Sequence, residues 1–178
     1  MNLDFASVWE TVADLVPEND ALICGEDIVS WKDYDLLSSK IAAALSSKGL
    51  GPNSKAGLYL NNSNEYLIGQ NAIFKIGGVP INVNYRYVEE ELIYLLDNSD
   101  AEAVFYHACY SSRINEIAKS LPNVKAWIEV PDGSKSNFDQ GMNMKQFYKI
   151  TLQWIGSLEI LKLFICFIPA EQPVCQKG

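Results

Sequence analysis

Residues 55–83 read KAGLYLNNSNEYLIGQNAIFKIGGVPINV, and this stretch decides the fold. A compact apolar run is followed by Asn and Ser residues that favour helix starts, and then by a segment with helical character. Gly77 and Gly78 end that helix, and a second apolar run, VPINV, follows them. Two strands joined by a helix instead of a tight turn lie parallel, because a parallel pair needs a long crossover.

The same alternation continues on both sides of this stretch. Toward the C-terminus the patterns predict a helix in EEELIYLLDNSD, a strand in AEAVFY, a helix in SSRINEIAKSLP and a strand in KAWIEV. Toward the N-terminus they predict a helix in KDYDLLSSKIAAALSSKGLG, a hairpin of ALIC and IVSW around GED, and a helix in FASVWETVADLV. We therefore predict an α/β fold with a mainly parallel sheet.

The composition of the chain argues against several classes of function. The chain has 178 residues, a hydrophobic fraction of 48% and a net charge of −8, so it can bury a core and is a poor partner for nucleic acid. No apolar run approaches the length of a membrane span, and the acidic start lacks the pattern of a signal peptide. The four cysteines lie far apart, which favours a reduced cytoplasmic protein over a zinc site or a disulfide scaffold.

Two features that could carry catalysis or cofactor binding have a simpler structural reading. His107 is the one histidine of the chain and follows a strand without an evident triad partner, so we expect a surface or packing residue. Gly77 and Gly78 lack the spacing of a dinucleotide fingerprint and come after a helix instead of before one. We expect them to end the helix and turn the chain into the next strand.

Two charged features also favour structural roles. Glu89, Glu90 and Glu91 are consecutive and would point in different directions on a helix, so a solvated first turn is a better reading than a metal site. Arg86, between two tyrosines, could bind an anion, but an ion pair or a stacked contact is the stronger expectation. The residues alone therefore give a scaffold, with no catalytic, cofactor-binding or metal-binding residue.

The stretch AIFKIGGVPINVNYRYVEEELIYLLDNSDAEAVF, residues 72–105, resembles the N-terminal part of the adenylate-forming acyl-CoA synthetases. The matching positions are Lys75, Gly77, Val79, Asn84, Arg86, Tyr87, Glu91, Leu92, Tyr94 and Leu96. The resemblance implies that residues 1–135 are part of an AMP-binding domain. It also implies an ATP-dependent ligase that uses Mg and coenzyme A and acts on a small-molecule carboxylic acid.

The family's phosphate-binding loop reads Leu-Tyr-Thr-Gly-Gly-Thr-Thr-Gly-Met-Pro-Lys-Gly, and this chain ends with FIPAEQPVCQKG instead. Codons that encode Phe167–Gly178, read one base earlier, can encode that loop without a mismatch. Codons for 149–155 can likewise encode Asn-Asn-Thr-Pro-Met-Asp, which resembles the family's linker. We therefore expect residues 136–178 to be a linker and an out-of-frame tail, with the change of frame starting between about Ser136 and Met144.

A chain that lacks the phosphate loop and the regions that follow it in the family's proteins is expected to have little or no ligase activity. Its apolar tail is expected to expose a sticky surface, which predicts marginal stability and non-specific aggregation. The alternative is a non-catalytic α/β binding or interaction module. A third reading, a flavodoxin-like or receiver-type domain, needs a phosphate loop or clustered acids that NNSN supplies poorly.

Overall fold

The computed structural model describes residues 4–148 of the chain. Within them the helices are α1 (Phe5–Leu15), α2 (Trp31–Ser47), α3 (Asn64–Lys75), α4 (Glu89–Asn98) and α5 (Ser111–Ile117). The strands are β1 (Asp20–Cys24), β2 (Asp27–Ser30), β3 (Lys55–Tyr59), β4 (Val79–Asn82), β5 (Ala101–His107), β6 (Ala126–Val130) and β7 (Met142–Asn143). Short 3₁₀ turns, Ala108–Tyr110 and Ala118–Ser120, flank α5.

Five strands form one parallel sheet in the order β4-β3-β5-β6-β7, and β1 pairs antiparallel with β2 in a separate hairpin. Strand β3 is internal, since its Gly57 is level with Ile81 of β4 on one side and with Val104 of β5 on the other. This order is that of a doubly wound sheet in which the chain starts inside and builds outward in both directions. The predicted α/β class, parallel sheet and hairpin are confirmed.

Each face of the sheet carries its own apolar core. Along β5, Ala103 and Phe105 point into a core shared with α2 and α3, whereas Val104 and Tyr106 point into a core shared with α4 and α5. All four side chains are fully buried. A strand covered on both faces reads as continuous apolar sequence, which explains AEAVFY. Helices α1, α2 and α3 therefore lie on one face of the sheet, and α4 and α5 lie on the other.

The helix boundaries follow from capping residues in the sequence. Ser30 Oγ accepts a hydrogen bond from the Asp33 backbone N–H at the start of α2, and Ser63 Oγ accepts one from the Tyr66 N–H at the start of α3. Gly77 follows the C-terminus of α3 with φ of 70°, a left-handed conformation that favours glycine. The predicted role of Gly77 in ending this helix is confirmed.

A buried lysine ties three helices together. The Lys75 side chain at the end of α3 is only 6% exposed and forms ion pairs with Glu10 of α1 and, at 2.8 Å, with Asp35 of α2. Two carboxylates compensate a buried ammonium group that would otherwise destabilise the fold. This cation therefore helps to fix α1 against α2 and α3, together with the contacts of Phe5 and Trp9 with the Phe74 ring.

Residues 136–148 pack against the sheet. The Phe138 ring lies 5.7 Å from the ring of Trp127, Met144 is fully buried, and Lys40 Nζ donates a hydrogen bond of 3.1 Å to the Tyr148 carbonyl oxygen. The expected domain boundary at residue 135 stays a prediction. The tail features that we interpreted from codons at 149–155 and Phe167–Gly178 lie outside the described residues. No helix within residues 4–148 is both long and apolar enough to cross a membrane.

The buried position of Met144 gives a test of whether residues 136–148 belong to the folded unit. Met144→Ala should lower the free energy of unfolding by about 2–4 kcal/mol, because it removes apolar contacts and leaves a cavity. The exposed neighbour Lys145 gives a matched control, and Lys145→Ala should change the free energy of unfolding by less than about 0.5 kcal/mol. Urea denaturation measures both. Equal effects of the two substitutions would contradict the packing described here.

Candidate functional site

The carboxyl edge of the sheet between β3 and β5 is the place where the fold leaves a crevice. After β3 the chain crosses into α3 on one face, and after β5 it crosses into α5 on the other face. Where the helices that follow two neighbouring strands lie on opposite faces of the sheet, no helix covers the carboxyl ends of those strands. Doubly wound proteins bind ligands at such positions. We therefore take this edge as the candidate site.

Two loops meet directly in this crevice. The Asn61 backbone N–H, just beyond β3, donates a hydrogen bond of 3.2 Å to Nδ1 of His107 at the end of β5. The Tyr110 hydroxyl donates one of 3.0 Å to the Asn61 side-chain oxygen. The rings of Tyr110 and Tyr59 lie 4.6 Å apart. These contacts between the β3–α3 connection and the β5–α5 connection thus fix the two loops relative to each other.

Arg113 joins the β4–α4 loop to the same assembly. Its Nη1 donates hydrogen bonds of 2.6 Å to the Tyr59 hydroxyl and 3.1 Å to the Tyr87 carbonyl oxygen, and its Nε donates one of 3.0 Å to Glu89. The Tyr59 hydroxyl in turn donates to the Tyr87 carbonyl at 3.0 Å. Since three of the five N–H donors of Arg113 are used within the protein, this arginine mainly holds these segments in place.

His107 lies inside the fold. The side chain is 6% exposed, and burial lowers its pKa, against the opposing effect of the Asp132 and Glu65 carboxylates. Its Nδ1 accepts the Asn61 N–H, so the imidazole is neutral with its proton on Nε2. The expectation of a packing residue agrees with this burial, but the hydrogen bond to Asn61 also makes His107 a link between two site loops.

Asp132 and Cys109 lie beside His107 and form a second polar contact. Burial by itself would raise the pKa of Asp132, but hydrogen bonds from Cys109 and Ser134 outweigh it and lower the pKa to about 2. Burial, together with the hydrogen bond to Asp132, raises the pKa of the Cys109 thiol to about 11. Cys109 is therefore protonated near neutral pH and is a poor nucleophile, because the thiolate is the reactive form.

Arg86, in the loop after β4, is an exposed cationic side chain beyond the carboxyl end of that strand. It is exposed, its guanidinium lies 5.5 Å from the centre of the Tyr85 ring, and its backbone N–H is held by the Asn84 side chain at 3.0 Å. Burial is the main reason that the pKa of Tyr110, in the neighbouring β5–α5 connection, is raised. The stacked contact is one of the two structural roles that the sequence favoured, and it leaves the guanidinium hydrogens available to an anion.

The other sequence candidates have structural contacts. Glu89 pairs with Arg113 at 3.0 Å, and Glu91 accepts the Val88 backbone N–H at 3.0 Å at the start of α4. A Cβ atom on Gly78 would come within 2.8 Å of the Ser54 carbonyl oxygen, so the close approach of the chain requires glycine there. Residues 4–148 contain no group of three or more His, Cys, Asp or Glu side chains placed to hold a metal ion.

Sequence reasoning missed Asn61, Tyr59 and Arg113 as parts of this edge. A signal was present for Asn61, since a polar run directly after the first strand of a crossover marks the carboxyl edge of a parallel sheet. No comparable signal marks Arg113, because its partners lie 24 to 54 residues away in sequence.

Comparison with known proteins agrees with this fold. The model of the family described as AMP-binding enzyme matches residues 9–153. The medium/long-chain-fatty-acid–CoA/3-oxocholest-4-en-26-oate–CoA ligase of Mycobacterium marinum is 38% identical over 136 residues, which cover 76% of this chain and 25% of that protein. The 3-oxocholest-4-en-26-oate–CoA ligase of Rhodococcus rhodochrous is also 38% identical, over 78% of this chain and 25% of its own length. The chain thus spans about a quarter of these curated relatives.

Solved structures show the same fold. The acetoacetyl-CoA synthetase of Streptomyces lividans has a TM-score of 0.75 at 17% identity, covering 82% of this chain and 25% of that one. The fatty acyl CoA synthetase of Mycobacterium tuberculosis has a TM-score of 0.65 at 22% identity, covering 70% and 26%. At these identities the likeness describes the backbone arrangement alone.

The buried neutral His107 predicts a pH dependence of stability. In the unfolded chain its pKa is near 6.5, and in the fold it is lower, so the unfolded state binds the proton more readily. The contribution of this residue to stability should be complete above about pH 6.5 and should be lost as the pH falls toward the folded pKa. His107→Gln should remove that component from urea denaturation measured between pH 7.5 and 5.

Because the chain has a single histidine, its imidazole can be titrated directly by NMR. We expect a pKa below 6.5 in the folded chain. A pKa at or above 6.5, or an unchanged pH profile in the His107→Gln variant, would contradict the buried neutral state.

Proposed function

Because this chain belongs to the AMP-binding enzyme family, we propose that it represents the N-terminal part of an enzyme that joins a carboxylic acid to coenzyme A. The observation that carries the proposal is the match of the family model to residues 9–153, together with relatives that are 38% identical and named as CoA ligases. The reaction would have two steps. The carboxylate attacks the ATP α-phosphate to form an acyl-adenylate and release pyrophosphate, and the coenzyme A thiol then displaces AMP to form the thioester.

The named relatives indicate the class of acid. Their names include medium- and long-chain fatty acids and a steroid-derived acid, all largely apolar molecules with one carboxylate. We propose an apolar carboxylic acid as the substrate and leave its length open. A cytoplasmic location fits the exposed free thiols of Cys24 and Cys109, since a reducing compartment keeps such thiols reduced.

The described residues could supply only some of the groups that binding ATP, Mg and coenzyme A would need. Residues 4–148 contain no cluster of metal ligands, and the loop after β3 reads NNSN without the glycines of a phosphate cradle. They therefore do not fit the metal or the triphosphate, and we assign them no catalytic step. What they offer is the exposed guanidinium of Arg86, which suits a phosphate group on a bound ligand.

We propose that the C-terminal part of this sequence is translated out of frame and that the chain has little or no ligase activity. Its support is the agreement between codons for Phe167–Gly178 and the family's phosphate loop in the shifted frame. The buried side chains of Phe138 and Met144, and the packing of the Phe147 and Tyr148 side chains against the core, argue that the original frame continues through residue 148. We therefore move the proposed change of frame from 136–144 to a position after Tyr148.

The nucleotide sequence of the gene tests this proposal. We expect the frame one base earlier to encode a glycine- and threonine-rich loop at the codons of 167–178, to remain open past the stop, and to join the current frame directly after the codon of Tyr148. A closed shifted frame, or one without that loop, would end the frameshift proposal. The native frame through residue 148 is tested separately, by the Met144 variants.

The role of Arg86 is tested in the longer protein made after the frame is restored. Arg86→Ala should raise KM for either ATP or coenzyme A by about tenfold, which is about 1.4 kcal/mol, and should change kcat by less than about twofold. Arg86→Lys should fall between the wild type and the alanine variant, because lysine keeps the charge and loses the planar fork.

The control for Arg86 is Lys48→Ala, an exposed cation between α2 and β3, beyond the amino ends of the strands. This variant should leave both KM values unchanged. The ligand whose KM responds to Arg86 identifies the phosphate that it contacts. Unchanged KM for both ligands in Arg86→Ala would remove Arg86 from the site, and absence of thioester formation by the restored wild type would contradict the ligase proposal itself.

A further inference from the structure

Two polar contacts show where helices α2 and α3 cross. The Tyr34 hydroxyl of α2 donates a hydrogen bond of 3.2 Å to the Leu67 carbonyl oxygen of α3, and Asp35 of α2 pairs with Lys75 of α3 at 2.8 Å. Leu67 and Lys75 are separated by about 12 Å along the axis of α3. Because Tyr34 and Asp35 are neighbours in sequence, both contacts start from the same turn of α2. The two helices therefore cross between these two positions of α3.

Ser38 and Asn71 lie at this crossing. Asn71 is one helical turn from each of the two α3 residues that contact α2, so it is on the same face of α3. Ser38 is one helical turn after Tyr34 and Asp35, so it shares their face of α2. Both side chains are fully buried, with an exposed fraction of 0%. The contact between the two helices therefore has a hydroxyl and a carboxamide at its centre.

The polar atoms of these two side chains have no partner in the described part of the chain. Among residues 4–148, no group forms a hydrogen bond with the Ser38 hydroxyl, the Asn71 side-chain oxygen or the Asn71 side-chain nitrogen. The carboxamide alone can donate two hydrogen bonds and accept two. Buried polar groups in native proteins almost always bond to protein or to ordered water, because an unpaired group destabilises the fold.

The chemistry of these groups selects the class of ligand. Ser38 and Asn71 are neutral, and the nearby Asp35 carboxylate is already paired with Lys75, so a cation would be buried here without a compensating charge. An apolar occupant would leave the same three atoms unpaired. A water molecule both donates and accepts, and a buried water typically forms about three hydrogen bonds, which matches the three unpartnered atoms.

From this arrangement we infer that the crossing of α2 and α3 is a binding site for a buried water molecule. The water donates a hydrogen bond to the Asn71 side-chain oxygen and bonds to the Asn71 side-chain nitrogen and the Ser38 hydroxyl, so it bridges the two helices. It thereby helps to fix α3, whose first turn lies at the carboxyl edge of the main sheet. The inference does not rest on the proposed ligase function.

NMR of the isotope-labelled 178-residue chain tests for the water directly. We expect cross-peaks between water and the Asn71 side-chain NH₂ protons, with opposite signs in the nuclear Overhauser and rotating-frame experiments, as for a long-lived bound water. Asn71→Leu assigns these peaks by removing them. In Ser38→Ala the peaks should persist, because the carboxamide still binds the water, whereas peaks relayed through an exchanging Ser38 hydroxyl would disappear.

A double-mutant cycle followed by urea denaturation tests the bridge. Asn71→Leu and Ser38→Ala should each raise the equilibrium constant for unfolding by about tenfold, because each leaves the other group without its bridge. The second substitution, made in the background of the first, should raise it by less than about threefold, because the bridge is already lost. Ser39→Ala is the matched control, since Ser39 is the next residue of α2, is 9% exposed and is not among the unpartnered groups. Its effect should be the same with and without Asn71→Leu.

The wild-type spectrum decides the inference even if a variant fails to fold. Absence of the water cross-peaks in the wild type, their loss in Ser38→Ala, or additive effects of Ser38→Ala and Asn71→Leu would overturn it. None of these readouts uses ATP, acid or coenzyme A, so failure of the proposed ligase reaction is distinguishable from absence of the water.

Discussion

The parallel pairing of β3 with β4 on one side and β5 on the other is the constraint on which the rest of the structure depends. Parallel neighbours require crossovers, and a first strand with a neighbour on each side sends those crossovers to opposite faces of the sheet. Both faces are then covered, which explains why β3 and β5 are almost wholly apolar. The same geometry leaves the carboxyl edge open, so the position of the candidate site is a consequence of the strand order.

At that open edge, some polar side chains are held by contacts within the protein and others are exposed to solvent. Arg113 and Tyr59 use their polar atoms on neighbouring loops, and His107 is buried and neutral, so these residues define the shape of the edge. Arg86 differs because its guanidinium is stacked on Tyr85 and exposed. An exposed guanidinium suits a ligand phosphate, but residues 4–148 contain no cluster of His, Cys, Asp or Glu side chains that could hold a metal-bound triphosphate. The described contacts at this edge are therefore mainly structural.

The surfaces of this region differ in how well they are covered. The main sheet is well covered, and Lys75 anchors α1 to α2 and α3 through two carboxylates. In contrast, the outer face of the β1–β2 hairpin presents Ile23 and Ile28 to solvent.

The sequence by itself determined the α/β class, the parallel sheet, the hairpin and the helix ends, since periodicity, capping serines and Gly77 act over a few residues. It also carried the family resemblance through the motif around Asn84 and Arg86. Only the tertiary structure decided that His107 is buried against the Asn61 backbone and that Arg113 joins three loops. Those contacts link residues 24 to 54 positions apart, and no local pattern records them. The physical reason is that strand order, which brings distant loops to one edge, is fixed by packing on both faces of the sheet.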